Sequence, residues 1–461
     1  MLTKFFRWLG FGQHKGILKK ESLERLIIPR SGHSVSRKDI SNYALKVLYR
    51  LHESGYEALL VGGGVRDLLL KHHPKDFDVV TNAHPGDVYK LFRNSRMIGR
   101  RFRLVHVFFG GNIVEVATFR TSQLNVDNTS LLHSKEGMIL RDNIFGTLEE
   151  DVWRRDFTVN ALYYNISDFT LIDFVGGLKD LKEKTLRVIG NPEQRYKEDP
   201  VRMLRAVRFA GKLGFKIEKN SEEPIFELGY LVKNVPAARL FEEFLKLFLT
   251  GSAYESFILL KRYLLFPLLF PETEAAFQSN KAHVEAFIVR ALQNTDARVL
   301  EGRPVAAPFL LATFLWHPLQ AKAEKMIATG MNALPALFEA MDEVLRDQQK
   351  SVAIPKRLSS VMREIWSLQL RLSNAKGHRA QQLFLLPRFR AAYDFLVLRF
   401  ESGEKELENL VNFWTKYINS DENTRLEMAA AYQTGKHKRK RSTRQMKGKR
   451  RLYPKVNGDD E

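Results

Sequence analysis

The sequence predicts an α+β protein: a small mixed β-sheet in its first part, followed by an all-α neck and body. Three observations carry the expectation. Up to about residue 190, short apolar or alternating runs are interleaved with helical stretches, and from Pro192 onward apolar residues recur at helical spacing almost to the end. At 461 residues the chain is also too long for one compact core, so roughly two to four units are expected.

Residues 1–35 read as a lead-in of mixed polarity, broken at Pro29-Arg30-Ser31-Gly32. Residues 38–58 hold apolar positions at helical spacing until Gly55, which suits a helix C-cap. Residues 58–61 form a short buried strand, residues 76–81 alternate, and residues 86–94 are helical. The runs 103–109 and 113–119 meet across Gly110-Gly111-Asn112 and read as a hairpin. The polar, aperiodic stretch 121–139 is long enough for a mobile loop. Ordered structure resumes at 157–165 and 171–177, and helices follow at 200–214, 238–251, 253–265, 388–400 and 407–418. No repeat of fixed period is present.

A net charge of +20 points to a polyanionic partner, because lysine and arginine that neutralise phosphates release condensed counterions. The stretch 436–455 holds 11 Lys or Arg and no acid, leaving +9 of the +20 for the rest of the chain. A basic body with a basic tail favours nucleic acid over a small acidic ligand. The absence of cysteine excludes disulfides and thiolate metal sites, and makes the cytoplasm the expected compartment. No run approaches the roughly 20 apolar residues of a membrane span, and the N-terminus lacks the extended apolar region of a secretory signal.

Three motifs in the first part bear chemistry. Gly62-Gly63-Gly64-Val65-Arg66-Asp67 follows a strand and opens a helix; its glycines let backbone approach a phosphate, and no Gly-Lys-Ser/Thr follows to make a Walker loop. In Asp76-Phe77-Asp78, strand alternation puts both carboxylates on one face. Two such carboxylates repel unless cations neutralise them, so they suit a pair of magnesium ions. Arg154-Arg155-Asp156-Phe157 opens an apolar segment. A third metal-site carboxylate is expected, and Asp156 and Glu115 are the candidates.

Together, residues 62–67, 76–78, 154–162 and 198–209 resemble the motifs of the class II nucleotidyltransferase family, which contains bacterial poly(A) polymerases and tRNA CCA-adding enzymes. The stretches 99–104, 141–146, 353–358 and 388–394, with the basic tail, are similar to its poly(A) polymerase branch, and the resemblance runs from about Ser36 to Arg399. It implies a nucleotidyltransferase head or palm at 36–190, a neck at 191–250 with nucleotide-recognising helices, an α-helical RNA-binding body at 251–420 and a basic disordered tail at 421–461. Asp76 and Asp78 would hold two magnesium ions, with manganese as an alternative, and Asp156 would complete the catalytic set. Gly63, Arg66, Arg155, Asp199, Arg202, Arg205 and Arg208 would bind ATP as substrate. Asp199, Arg202 and Arg205 recur every three residues and would share one helical face.

The implied reaction is template-independent addition of AMP to RNA 3′ ends of mRNA, regulatory RNA or decay intermediates. The implied setting is a monomer working with RNA-decay machinery and without integral membrane association. A CCA-adding enzyme is the close alternative. A noncatalytic RNA-binding relative should lack a metal carboxylate, and a fused His-Asp hydrolase should carry an adjacent His-Asp pair; neither signature is present.

Overall fold

Serine and glycine set the limits of the first helix, α1 (Asn42–Glu53). The Ser41 hydroxyl accepts the Ala44 amide at 3.2 Å, and Gly55 turns the chain away at φ +85°. Between these caps Ala44, Val47, Leu48 and Leu51 form one buried stripe, the helical spacing that the sequence carries. The computed structural model describes residues 25–99, 103–121, 132, 133, 139–141, 145–374 and 378–428. The expectations for residues 1–24, for most of the 121–139 loop, for the matched residues 100–102 and 142–144, and for the tail from residue 429 lie outside them.

The strands are β1 (Leu26–Ile28), β2 (Ala58–Val61), β3 (Asp78–Thr81), β4 (Ser95–Ile98), β5 (Leu104–Phe109), β6 (Asn112–Thr118), β7 (Leu132–His133), β8 (Ile139–Arg141), β9 (Leu162–Asn165), β10 (Leu171–Asp173), β11 (Thr185–Leu186) and β12 (Lys216–Ile217). Eight of these make one sheet in the order β1-β10-β9-β2-β3-β6-β5-β4. Only β3 and β6 pair in parallel, so the sheet is mixed, as expected. It is larger than the sequence suggests because its edge strands, β1 and β4, are short and carry no apolar alternation. The expected hairpin is β5–β6, with Phe109 opposite Asn112 across Gly110-Gly111. In the stretch 121–139 Leu132 and His133 form β7, which pairs antiparallel with β8 at its end, strands too short to leave a period in the sequence.

Register then decides where chemistry can occur. β2 is buried along its whole length, with Val61 opposite Asp78 on β3, and Asp78 lies opposite Glu115 on β6. The three residues form one row across the sheet, where β2 gives way to the glycine turn. Beneath the sheet, Leu59, Val61, Val80, Val152 and Tyr163 share one core cluster.

The remaining helices of this region are α2 (Gly63–Leu69), α3 (Pro85–Leu91), α4 (Leu148–Arg154), α5 (Gly177–Lys182), α6 (Pro192–Glu198), α7 (Val201–Leu213) and α8 (Lys219–Leu228). The chain divides into two compact units, Met1–Asn234 and Val235–Glu461. The second unit is helical: α9 (Ala237–Phe248), α10 (Ala253–Arg262), α11 (Phe266–Leu269), α12 (Pro271–Leu300), α13 (Ala307–Phe314), α14 (Trp316–Ala328), α15 (Ala333–Gln348), α16 (Lys356–Asn374), α17 (His378–Phe384), α18 (Phe389–Glu401) and α19 (Glu408–Asn419). Phe244, Phe248, Phe266, Phe270 and Phe314 pack there, largely edge to face. Among the described residues no helix is long and apolar enough to cross a membrane.

Candidate active site

The glycine turn is shaped by what lies behind it. Gly62 has φ +75° and ψ −137°, a conformation closed to residues with a side chain. A Cβ there would sit 3.7 Å from the Asp78 carboxylate and 3.9 Å from the Arg155 guanidinium. At Gly64 it would meet the Asp76 carbonyl at 3.4 Å and the Phe77 ring at 3.5 Å. The turn and the Asp-Phe-Asp segment are therefore in close backbone contact. Gly63, between them, opens α2.

The strand begins at Asp78, not at Asp76. Asp76 is exposed just ahead of it and Phe77 is buried beneath, so the expected strand alternation applies only from Asp78 onward. Burial pushes the Asp78 carboxyl up to about 6, with Glu115 and Asp76 adding to the rise and Arg155 opposing it. Glu115 has His106 across the β5–β6 ladder, with Nε2 3.6 Å from its carboxylate. Three carboxylates thus act on one region with too little protein cation to balance them. Oxygen donors with surplus negative charge fit magnesium. Among the described residues no three His, Asp or Glu side chains converge into a metal cage on their own.

The segment 154–162 is different. Thr147 and Glu150 form a capping box at the start of α4, and the helix ends at Arg155. Asp151, wholly buried, accepts from Arg154 Nε at 2.8 Å, Arg155 Nη2 at 2.9 Å and the Tyr163 hydroxyl at 3.2 Å. Burial alone would raise the Asp151 carboxyl, but the two guanidiniums bring it down to about 2. Burial also works against the charge of Arg155, yet Tyr163 and Asp151 outweigh it and keep the guanidinium protonated beside Asp78.

Asp156 is held by several donors. It accepts from Arg205 Nε at 2.7 Å, from the Phe157 amide at 2.8 Å and from Asn160 Nδ2 at 3.3 Å. Burial works to raise its carboxyl too, but Arg205 and these donors bring it down to about 2. Asn160 in turn accepts from Arg66 Nη1 at 2.6 Å, and Arg66 Nε donates to Asp67 at 2.8 Å. A hydrogen-bonded chain Asp67–Arg66–Asn160–Asp156–Arg205 therefore ties α2 to α7. Arg66 is only 2% exposed, braced between Asp67 and Asn160. Arg66, Arg205 and Arg208 surround the ring of Phe209, with guanidinium carbons 5.4, 5.7 and 4.5 Å from its centroid.

Asp199 also departs from the sequence reading. It precedes Pro200 in extended backbone at φ −148°, so it lies at the corner of α6 and α7 and not on the α7 face that carries Arg202, Arg205 and Arg208. Its carboxylate accepts the Val201 amide at 3.3 Å. Arg202 is buried, donating to the Arg195 carbonyl at 2.6 Å and lying 3.5 Å from Glu198. Arg195 Nη2 donates to the carbonyls of Arg154 and Arg155 at 2.6 and 2.8 Å, fixing the segment from α6. Asp151, Asn160, Tyr163 and Arg195 were not singled out from the sequence. Asp151 alone left a signal, three and four residues ahead of two arginines on a helix.

Residues 58–187 match the family model described as Poly A polymerase head domain. Residues 214–277 match Probable RNA and SrmB-binding site of polymerase A, and residues 329–448 match Polymerase A arginine-rich C-terminus. Poly(A) polymerase I of Escherichia coli is 54% identical over 396 residues, 85% of this chain and 85% of that one. The CCA-adding enzyme of Lactobacillus helveticus is 38% identical over 219 residues, 48% of this chain and 53% of that one. A solved tRNA-processing enzyme complex resembles the chain with a TM-score of 0.55 at 26% identity, covering 81% of this chain and 92% of that one.

Proposed function

Because the chain belongs to the poly(A) polymerase family and is a polynucleotide adenylyltransferase, we propose that the row formed by the glycine turn, Asp78 and Glu115, with Asp76 beside it, is where AMP from ATP is joined to an RNA 3′ hydroxyl. The observation that supports this reading best is the register: Asp78 and Glu115 lie opposite each other on the one parallel strand pair of the sheet, against the turn at Gly62. Two magnesium ions, with manganese as an alternative, would be held through Asp76 and Asp78 and would supply activation of the attacking hydroxyl and neutralisation of the triphosphate. Glu115 takes the third carboxylate position in place of Asp156. Asp156 instead positions Arg205, since its oxygens are committed to Arg205, Asn160 and the Phe157 amide.

Within the ATP site, Gly63 admits the phosphates to the backbone. Arg155, clamped by Asp151 and Tyr163, offers them a fixed charge. Arg205 and Arg208 add charge from α7, while Arg66 braces the turn from within. Asp199 and Arg202, at the α6–α7 corner, are assigned the adenine edge. The helical region 251–420 and the tail 421–461 would hold RNA through phosphate contacts with little sequence readout. The head and neck limits 36–190 and 191–250 complete this division. Action as a cytoplasmic monomer that feeds mRNA, regulatory RNA and decay intermediates to 3′ exonucleases completes the biological reading.

The test is direct. Purified protein, magnesium, an unstructured RNA and each nucleoside triphosphate in turn should give long ladders on a gel with ATP alone. Addition limited to cytidines and a terminal adenosine on tRNA would move the chain to the CCA-adding class.

A further inference from the structure

The second unit contains a cleft of about 870 Å³ between α12, α13, α16 and α18. That volume lies within the roughly 300 to 1,000 Å³ of ordinary ligand sites. The floor is apolar, made by Ala291, Leu310, Ile365 and Leu398. Tyr393 adds an aromatic wall, its hydroxyl engaged with Thr415 at 2.7 Å. The rim carries Arg298, Arg303, Arg388 and Arg390 against Asp394 and Glu401. The side chains of Arg303, Arg388 and Arg390 are 54%, 46% and 68% exposed, so their present partners Glu301, Glu364 and Asp394 leave them open to solvent and to a ligand. The Arg390 guanidinium lies 5.5 Å from the centroid of the Tyr393 ring, and its Nε donates to Asp394 at 3.0 Å.

The combination narrows the ligand. A small anion would have no use for an apolar floor of this size, and an apolar molecule no use for four guanidiniums. A nucleotide needs both: a flat base that gains from leaving water beside an aromatic ring, and phosphates that pair with arginine. Asp394 adds an acceptor for a base amino group. We propose that this cleft holds a nucleotide of the single-stranded RNA substrate, with its base on the apolar floor beside Tyr393 and its flanking phosphates on the arginine rim. The proposal rests on the adenylyltransferase reading and adds to it a place where the body holds the chain being extended.

The full-length protein with Arg303→Ala and Arg388→Ala combined is the probe, because both positions are exposed and outside the catalytic machinery. Binding of labelled oligoadenylate across a salt series should lose about 1.4 from the slope of log affinity against log salt, since each single-strand phosphate contact contributes about 0.7. The apparent KM for RNA should rise about tenfold while that for ATP stays within about twofold. Arg303→Lys with Arg388→Lys should restore the slope. Photo-crosslinking of thiouridine-substituted RNA to the unmodified protein should label the peptide that contains Tyr393, a readout independent of how the variants fold. An unchanged slope and RNA KM, or crosslinks that avoid this peptide, overturn the proposal. If the unmodified protein bound RNA but incorporated no AMP, the adenylyltransferase reading would fail while the cleft result stood by itself.

Discussion

Two regions of the first unit are equally rich in charge and opposite in condition. At the row of Asp78 and Glu115, burial first and then the facing Glu115 push the Asp78 carboxyl up to about 6 against the pull of Arg155. Around Phe209, in contrast, Asp156 is paired with Arg205 and hydrogen-bonded through Asn160 to Arg66, and its carboxyl falls to about 2. The first region is the proposed metal row, whereas in the second the Asp156 charge is met by Arg205, Asn160 and the Phe157 amide. A carboxyl raised among other carboxylates is a candidate ligand site, and a carboxyl met by fixed donors positions its partners.

The sharpest way to break this contrast is Asp78→Asn. Loss of a metal carboxylate should reduce adenylate incorporation by several kcal/mol of transition-state stabilisation, on the order of a thousandfold, in a single-turnover assay with ATP and magnesium. Near-normal turnover would sink the assignment of this row. Next in size is a paired test of the third carboxylate. Asp156→Asn removes the buried charge that holds the part-exposed Arg205 and should cost about 1 to 3 kcal/mol in denaturant unfolding, whereas Glu115→Gln should leave stability nearly intact and abolish incorporation. A stable, inactive Asp156→Asn beside an active Glu115→Gln would reverse the two regions.

A smaller effect has the opposite sign. The Asp78 carboxyl lies near 6 when folded, against 3.8 ordinarily, so between those pH values the folded chain holds more protons than the unfolded one. Stability of the metal-free protein should therefore fall as pH rises from about 4 to 6 and stay reduced above. Asp78→Asn should relieve this by about 1 to 3 kcal/mol at pH 7 and by nothing below pH 4. Thermal denaturation in chelator and in magnesium checks it: magnesium should raise the Tm of the unsubstituted protein and leave that of the variant unmoved. The smallest expected effect is at Arg202, which geometry places among the satisfied charges. If it also meets the adenine edge, Arg202→Ala should reduce discrimination between ATP and CTP by about 1 kcal/mol. An equal loss for both nucleotides would return it to a purely structural role.

The sequence made local features plain and long-range ones invisible. Gly55, the β5–β6 hairpin and the helix from Val201 to Leu213 are written in spacing and turn residues, and the structure has each of them. Asp76 and Asp78 are recognisable as a pair, but the strand start at Asp78 depends on pairing with β2 and β6, which no local pattern records. The misplacement of Asp199 came from counting in threes across Pro200, where one helix has ended and the next has yet to start. Arg66 and Asn160 lie 94 residues apart, and Asp156 and Arg205 lie 49 apart. Such partners declare themselves only when the fold brings them together, so the internal bonds of Arg66 and Asp156 were not legible in the sequence.

The backbone at Gly62 has an evolutionary corollary. Every single-base change of a glycine codon that alters the amino acid installs a side chain, and at φ +75°, ψ −137° all of them are strained before any contact is considered. The position therefore has no neutral neighbours in the genetic code. A lineage could replace this glycine without loss only after the crossing between the turn and Asp78 had been rebuilt.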